Sequence, residues 1–196
     1  MAETKNDDDI HVDEFEDQQN FVPPAQKSVK EILNADANDE SLKKYKEKLL
    51  GSASKVDVIV VEPSNPLNVI VKSISLVVDN KVMRSMNLPN NDEFTLAIKE
   101  GCHYSIHLEF YVQREIVTGL KYLHKVSRLG ITIAKESYML GSYAPNSELY
   151  VYKTPPEEAP SGMMQRGKYK VRSLITDDDK NRWLEWTWHL EICKDW

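Results

Sequence analysis

The chain has 196 residues, enough for one domain with an appendage and a full core. Its net charge of −6 is unevenly spread: residues 1–20 hold eight acids and one lysine, a charge of −7, which leaves about +1 on the rest and argues against nucleic acid as a partner. No apolar run marks a signal peptide, none approaches the roughly eighteen residues of a membrane span, and the terminal Cys193-Lys194-Asp195-Trp196 makes a poor prenylation box. With two cysteines there is no disulfide framework, and the expectation is a cytoplasmic protein with reduced thiols.

Residues 1–24 read as an acidic, disordered tail that ends in Pro23-Pro24. Residues 25–55 read as a helical arm and linker. Ser28-Val29-Lys30-Glu31 is a capping-box pattern that opens a short helix over Val29–Leu33. Asp39 can cap a second helix over Glu40–Leu50, which stops at Gly51. Leu42, Tyr45 and Leu49 form one narrow stripe on it, among four lysines. A helical pair of this size has no core of its own, so the stripe needs the body of the protein or a partner.

From Val56 the period changes from helical to extended, and residues 56–196 read as a β-sandwich. Ile70, Ile74, Leu76 and Val78 line one face of a strand that ends at Asp79-Asn80. Lys81–Leu88 and Phe94–Ile98 are two shorter candidates, followed by a tight turn at Lys99-Glu100-Gly101. Cys102, Tyr104, Ile106, Leu108, Phe110 and Val112 then alternate with polar partners from His103 to Gln113, the cleanest strand pattern in the chain. Ile116–Val126, Gly130–Ala134, Tyr138–Tyr143 and Leu149–Tyr152 follow, then a proline-rich loop over Thr154–Pro160 and a turn of helix over Gly162–Gly167. Eight or nine short strands with turn signals and little helix predict an all-β, immunoglobulin-like antiparallel β-sandwich, preceded by a flexible arm with a short helical hairpin.

The last hairpin, Lys168–Ile192, carries the most apolar mass. Leu184, Trp186, Trp188, Leu190 and Ile192 share one face, and each tryptophan buries roughly 150–250 Å². They either fill a sandwich core or wall an apolar cavity between two sheets; alternation does not decide between these. The joining Asp177-Asp178-Asp179 lacks the glycine and distal glutamate of a calcium loop, and reads as a solvated turn or an acidic contact for a partner's arginine.

Catalytic signals are scarce. There is no phosphate-binding glycine loop and no Gly-x-Ser-x-Gly elbow, and no histidine stands at metal-ligand spacing from a cysteine. His103, His107 and His189 have outward parity on their strands. The expectation is a non-enzymatic binding protein without cofactor or metal.

Several stretches resemble the Rho GDP-dissociation inhibitors. They include Pro23–Ser28, Asp39–Lys46, Arg114–Val117, Tyr138–Tyr143, Glu157–Pro160, Thr176–Lys180 and Trp186-x-Trp188. The resemblance runs in order from Phe21 to Trp196, with a poorer fit over Asp79–Asn91. It implies a cytosolic chaperone that binds prenylated Rho-family small GTPases, those of the Rho and Rac type among them, with the GDP-bound form preferred. The arm would lie on the switch regions and block GDP release, with Asp39, Ser41 and Tyr45 as contacts. Asp178 and Asp179 would meet a basic residue of the GTPase. The sandwich would bury the geranylgeranyl group and so extract the GTPase from membranes, touching the membrane only transiently; Leu76, Leu96, Ile116, Val171, Trp186 and Trp188 would line the isoprenoid pocket. A prenyl-binding chaperone without nucleotide restraint is the alternative, and it would not need residues 23–51.

Overall fold

A computed structural model describes residues 10–15, 31, 40–41, 59–89 and 94–196. Ten strands make up the body: β1 (Val69–Val78), β2 (Lys81–Asn87), β3 (Thr95–Lys99), β4 (His103–Val112), β5 (Val117–Arg128), β6 (Ile131–Tyr143), β7 (Tyr150–Lys153), β8 (Glu157–Glu158), β9 (Gly167–Thr176) and β10 (Arg182–Cys193). The first sheet has the order β2-β1-β4-β7, with β8 also on β4; the second has the order β3-β10-β9-β5-β6. All pairings are antiparallel except β3 on β10, which is parallel. One apolar cluster joins the inner faces of both sheets, as in a β-sandwich.

The alternation of β4 and β10 appears as expected: Ile106, Leu108, Phe110 and Val112 point into the core, as do Trp186, Trp188 and Ile192. Three expectations need correction. Ile70 does not share a face with Ile74 and Leu76. Between β1 and β4 the register shifts at Lys72, so Val71 stands opposite Phe110 and Ser73 opposite Glu109. One extra residue flips the parity, and Val69 and Val71 join the core cluster instead of Ile70. Gln113 is not outward-facing either; it is fully buried, because β4 ends at Val112 and the chain turns there. Its amide accepts from the Val61 and Glu62 N–H groups at 3.0 Å each and donates to the Asn65 and Leu67 carbonyls at 3.0 and 2.7 Å. Finally, Gly130–Ala134 and Tyr138–Tyr143 belong to one strand, β6, whose position at the sheet edge tolerates the charged Lys135-Glu136 between them.

The tail expectation also changes in part. Val12–Glu14 form a turn of 3-10 helix, and Ile10 is buried with Leu123 and Leu174 on the outer face of the second sheet. Val12 and Phe15 pack on the same spot. Glu14 pairs with Lys135, and the Arg182 guanidinium donates to the Ile10 carbonyl at 3.1 Å. Glu31, Glu40 and Ser41 carry helical backbone. The remainder of both arm helices, including Asp39 and Tyr45, lies outside the described residues.

Candidate functional site: an apolar cavity between the sheets

A cavity of about 220 Å³ opens between the sheets. Leu76 and Ile106 reach it from the first sheet; Val126, Val171, Trp188 and Leu190 reach it from the second. β10 supplies its residues by strict alternation, and β9 places Val171 directly opposite Trp188. The Trp188 ring is held in one orientation, because its Nε1–H donates to Ser173 Oγ at 2.9 Å. The same Oγ lies 3.1 Å from the Tyr122 hydroxyl. A buried polar triangle therefore satisfies both aromatic groups and leaves an apolar face for the cavity.

Leu76, Val171 and Trp188 thus converge on one space. The other three pocket candidates stand elsewhere. Trp186 stacks on Tyr122 with ring centroids 5.9 Å apart and 12° between planes, and its Nε1 has no hydrogen-bond partner among the described residues. Leu96 is fully buried in β3, beside Leu190. Ile116 is half-buried just before β5, at the end of the sandwich away from Val126, roughly 30 Å along an extended strand.

The rim is polar, a feature that parity alone did not reveal. Glu157 accepts from the Tyr104 hydroxyl at 3.1 Å, and the Tyr138 hydroxyl bridges Glu157 and Glu136. His124, nearly buried at the cavity wall, has Nε2 3.8 Å from Glu136, and its ring lies 5.4 and 5.6 Å from those of Tyr122 and Tyr138, which stack on each other. Burial pushes its pKa down to about 4, so the imidazole is neutral near pH 7. Burial, then the neighbouring Glu157, pushes the Tyr104 phenol up; burial, then its carboxylate hydrogen bonds, does the same for Tyr138. The rim tyrosines therefore stay neutral and keep their O–H protons to donate to the carboxylates. Among the described residues no cluster of His, Cys, Asp and Glu is arranged to hold a metal ion.

At the far end, the triple aspartate divides its roles. Asp177 is buried and structural: its carboxylate accepts from the Asp179 and Asn181 N–H groups, the Asn181 amide and the Trp183 indole at 2.9–3.1 Å. An aspartate two and four residues ahead of such donors is an Asx-type turn signal, legible in Asp177–Asn181. Asp178 is half-buried and pairs with Lys121 at 3.1 Å. Asp179 is half-buried, and Ser41 is exposed.

Fold and cavity together define a two-sheet β-sandwich with an apolar space between its sheets. The sequence matches the family described as RHO protein GDP dissociation inhibitor over residues 5–195. It is 52% identical over 180 residues to a probable rho GDP-dissociation inhibitor of Caenorhabditis elegans, covering 89% of this chain and 92% of the relative. It is 43% identical over 189 residues to Rho GDP-dissociation inhibitor 1 of Homo sapiens, covering 94% and 90%. It is 41% identical over 183 residues to Rho GDP-dissociation inhibitor 3 of Bos taurus, covering 90% and 78%. The chain belongs to the Rho GDP-dissociation inhibitor family.

Proposed function

We propose that this protein binds Rho-family GTPases, slows their loss of GDP, and shields their prenyl group in the cavity between its sheets. The observation that carries the prenyl part is the inter-sheet space lined by Leu76, Ile106, Val171 and Trp188, in a chain of this family. An isoprenoid gains about 0.8 kcal/mol per buried CH₂-sized unit in a membrane or in a protein alike. A carrier therefore draws it off a bilayer only by adding protein contacts to a comparably apolar pocket. Asp39, Ser41 and Tyr45 on the arm, with Asp178 and Asp179 on the β9–β10 loop, are the proposed GTPase contacts. Asp178 would have to share or exchange its bond with Lys121. The geranylgeranyl group, a preference for the GDP state and action in the cytoplasm belong to the same reading, as does a purely regulatory, non-enzymatic role.

The test loads a geranylgeranylated Rho-family GTPase with fluorescent GDP on liposomes and follows nucleotide release and GTPase in the supernatant. The full chain is expected to slow release and to extract. Val171→Phe, which fills the cavity, is expected to lose extraction while still slowing release, and a chain lacking residues 1–51 to lose the restraint on nucleotide. Extraction without any effect on nucleotide release would point to a bare prenyl carrier, and neither effect would refute the reading.

A further inference from the structure

Where β5 turns into β6 the backbone is left-handed at Leu129 (φ 51°) and Gly130 (φ 80°). Such a two-residue turn favours Asn-Gly, and a bulky apolar side chain there costs roughly 1 kcal/mol or more. Leu129 is nonetheless 95% exposed, so it recovers nothing from the fold. Its neighbour Arg128 donates to the carbonyl of Met164, which with Met163 forms a second exposed apolar pair, 86% and 81% exposed. This is not a loose loop. Arg128 donates to the Met164 and Arg166 carbonyls and lies over the Tyr169 ring, while Glu100 accepts from Arg166 and from the Gly162 N–H. Hairpin tip and methionine loop are therefore fixed side by side, holding three large apolar side chains in water.

Two further features frame this tip. Lys168, Lys170 and His189 join Leu129 around a shallow depression of about 380 Å³; Glu191, opposite Lys168 in the β9–β10 register, partly offsets their charge. The same outer face of the sheet already accepts negative charge, since Glu14 of the acidic segment is seated on Lys135. Gln165 of the methionine loop and Ile133, two residues up β6 from the tip, stand at the mouth of the inter-sheet cavity. Apolar protrusion, cationic flank and cavity mouth thus lie at one end of the sandwich.

We propose that the β5–β6 tip and the Met163-Met164 loop form a membrane-docking edge that seats the cavity mouth on an anionic bilayer. Leu129, Met163 and Met164 enter the headgroup–acyl boundary, and Lys168 and Lys170 meet the negative surface potential. That this shortens the prenyl group's path from bilayer to cavity rests on the carrier reading above; the docking itself does not.

The full chain is mixed with phosphatidylcholine vesicles, with and without phosphatidylserine, and bound protein is measured by flotation at low and moderate salt. Binding is expected with phosphatidylserine, weakened by salt, and reduced about tenfold or more by Leu129→Asp with Met164→Asp, since each lost apolar insertion is of that order. Both side chains are exposed and aspartate tolerates the left-handed backbone better than leucine, so the melting temperature is expected not to fall. In the same vesicles these changes slow GTPase extraction while leaving the affinity for prenylated cargo in solution unchanged. No vesicle binding by the wild type, or equal binding and extraction by the variant, overturns the proposal, and a surface meant for a protein partner would give the first result. Vesicle binding without extraction would leave docking in place and count against the carrier reading instead.

Discussion

His124 is a neutral imidazole in a nearly buried place, close to Glu136 and against the stacked pair Tyr122 and Tyr138. Its folded pKa, about 4, lies below its unfolded value near 6.5. Between these values the unfolded chain binds more protons than the folded one, so stability falls as pH drops from about 6.5 toward 4 and is full above 6.5. The loss reaches at most about 3 kcal/mol. Urea unfolding at pH 7 and pH 5 is expected to show this slope in the wild type and a flatter one in His124→Gln; identical slopes would assign the acid sensitivity to other groups. Gln113 has no charge to titrate, but its four backbone hydrogen bonds hold the chain from Val61 to Leu67 against the end of β4. Gln113→Ala strands buried donors and acceptors at roughly 1 kcal/mol or more each, a total of about 3 kcal/mol or more. A shift of the urea midpoint smaller than one such bond would show that water replaces the amide.

At the scale of elements, the β9–β10 loop is fixed from two sides. Asp177 closes it from within, and the start of β5 supports it from outside through Lys121 and the Thr118 carbonyl, which accepts from the Asp178 N–H at 3.3 Å. Gly119 makes this approach possible. It has φ +60°, and a Cβ there would lie 1.9 Å from the Asp178 carboxylate. Gly119→Ala is therefore expected to push Asp178 off Lys121, with strain in the left-handed backbone besides. If Asp178 is a GTPase contact, affinity falls while the cavity is untouched, so binding of a prenylated peptide should not change. The Ile10–Phe15 segment is a second docked element. Burying Ile10 on Leu123 and Leu174 stabilises it by roughly 1.5–3 kcal/mol, and Ile10→Asp should release it. Methyl NMR signals of Leu123 and Leu174 would then move to the positions seen in a chain lacking residues 1–15; unchanged signals would mean that the contact contributes nothing in solution.

Across the whole molecule, what was legible in the sequence follows from period. β4 and, from Leu184 onward, β10 alternate without interruption, so their buried residues can be read off directly, and the sandwich class follows from the turn signals, with eight or nine strands expected where the described residues form ten. Ile70 was misplaced because a bulge carries no compositional mark, and Gln113 because a buried amide at a strand end looks like the next polar residue of the alternation. Trp186 and Trp188 share parity, yet cavity or core depends on which neighbour each meets, Tyr122 or open space, and that is set by tertiary contacts. The cavity's size follows the same logic. At about 220 Å³ it is below the roughly 300–1,000 Å³ of ordinary ligand pockets. Close-packed interiors do not keep large apolar voids without stabilisation elsewhere, so a full geranylgeranyl chain fits only if side chains or sheets move apart. Association of a geranylgeranylated peptide should then be limited by opening and run below roughly 10⁵ M⁻¹ s⁻¹. Val171→Ala removes apolar bulk beside Trp188 on the cavity wall, which enlarges the void at a cost of about 1–3 kcal/mol in the free chain. It is therefore expected to speed association while lowering the melting temperature, because part of the opening has been made in advance. Stopped-flow fluorescence on both chains tests this: an unchanged rate with reduced stability would mean that the prenyl chain does not enter past Val171, and that the space it uses lies on another side of Trp188.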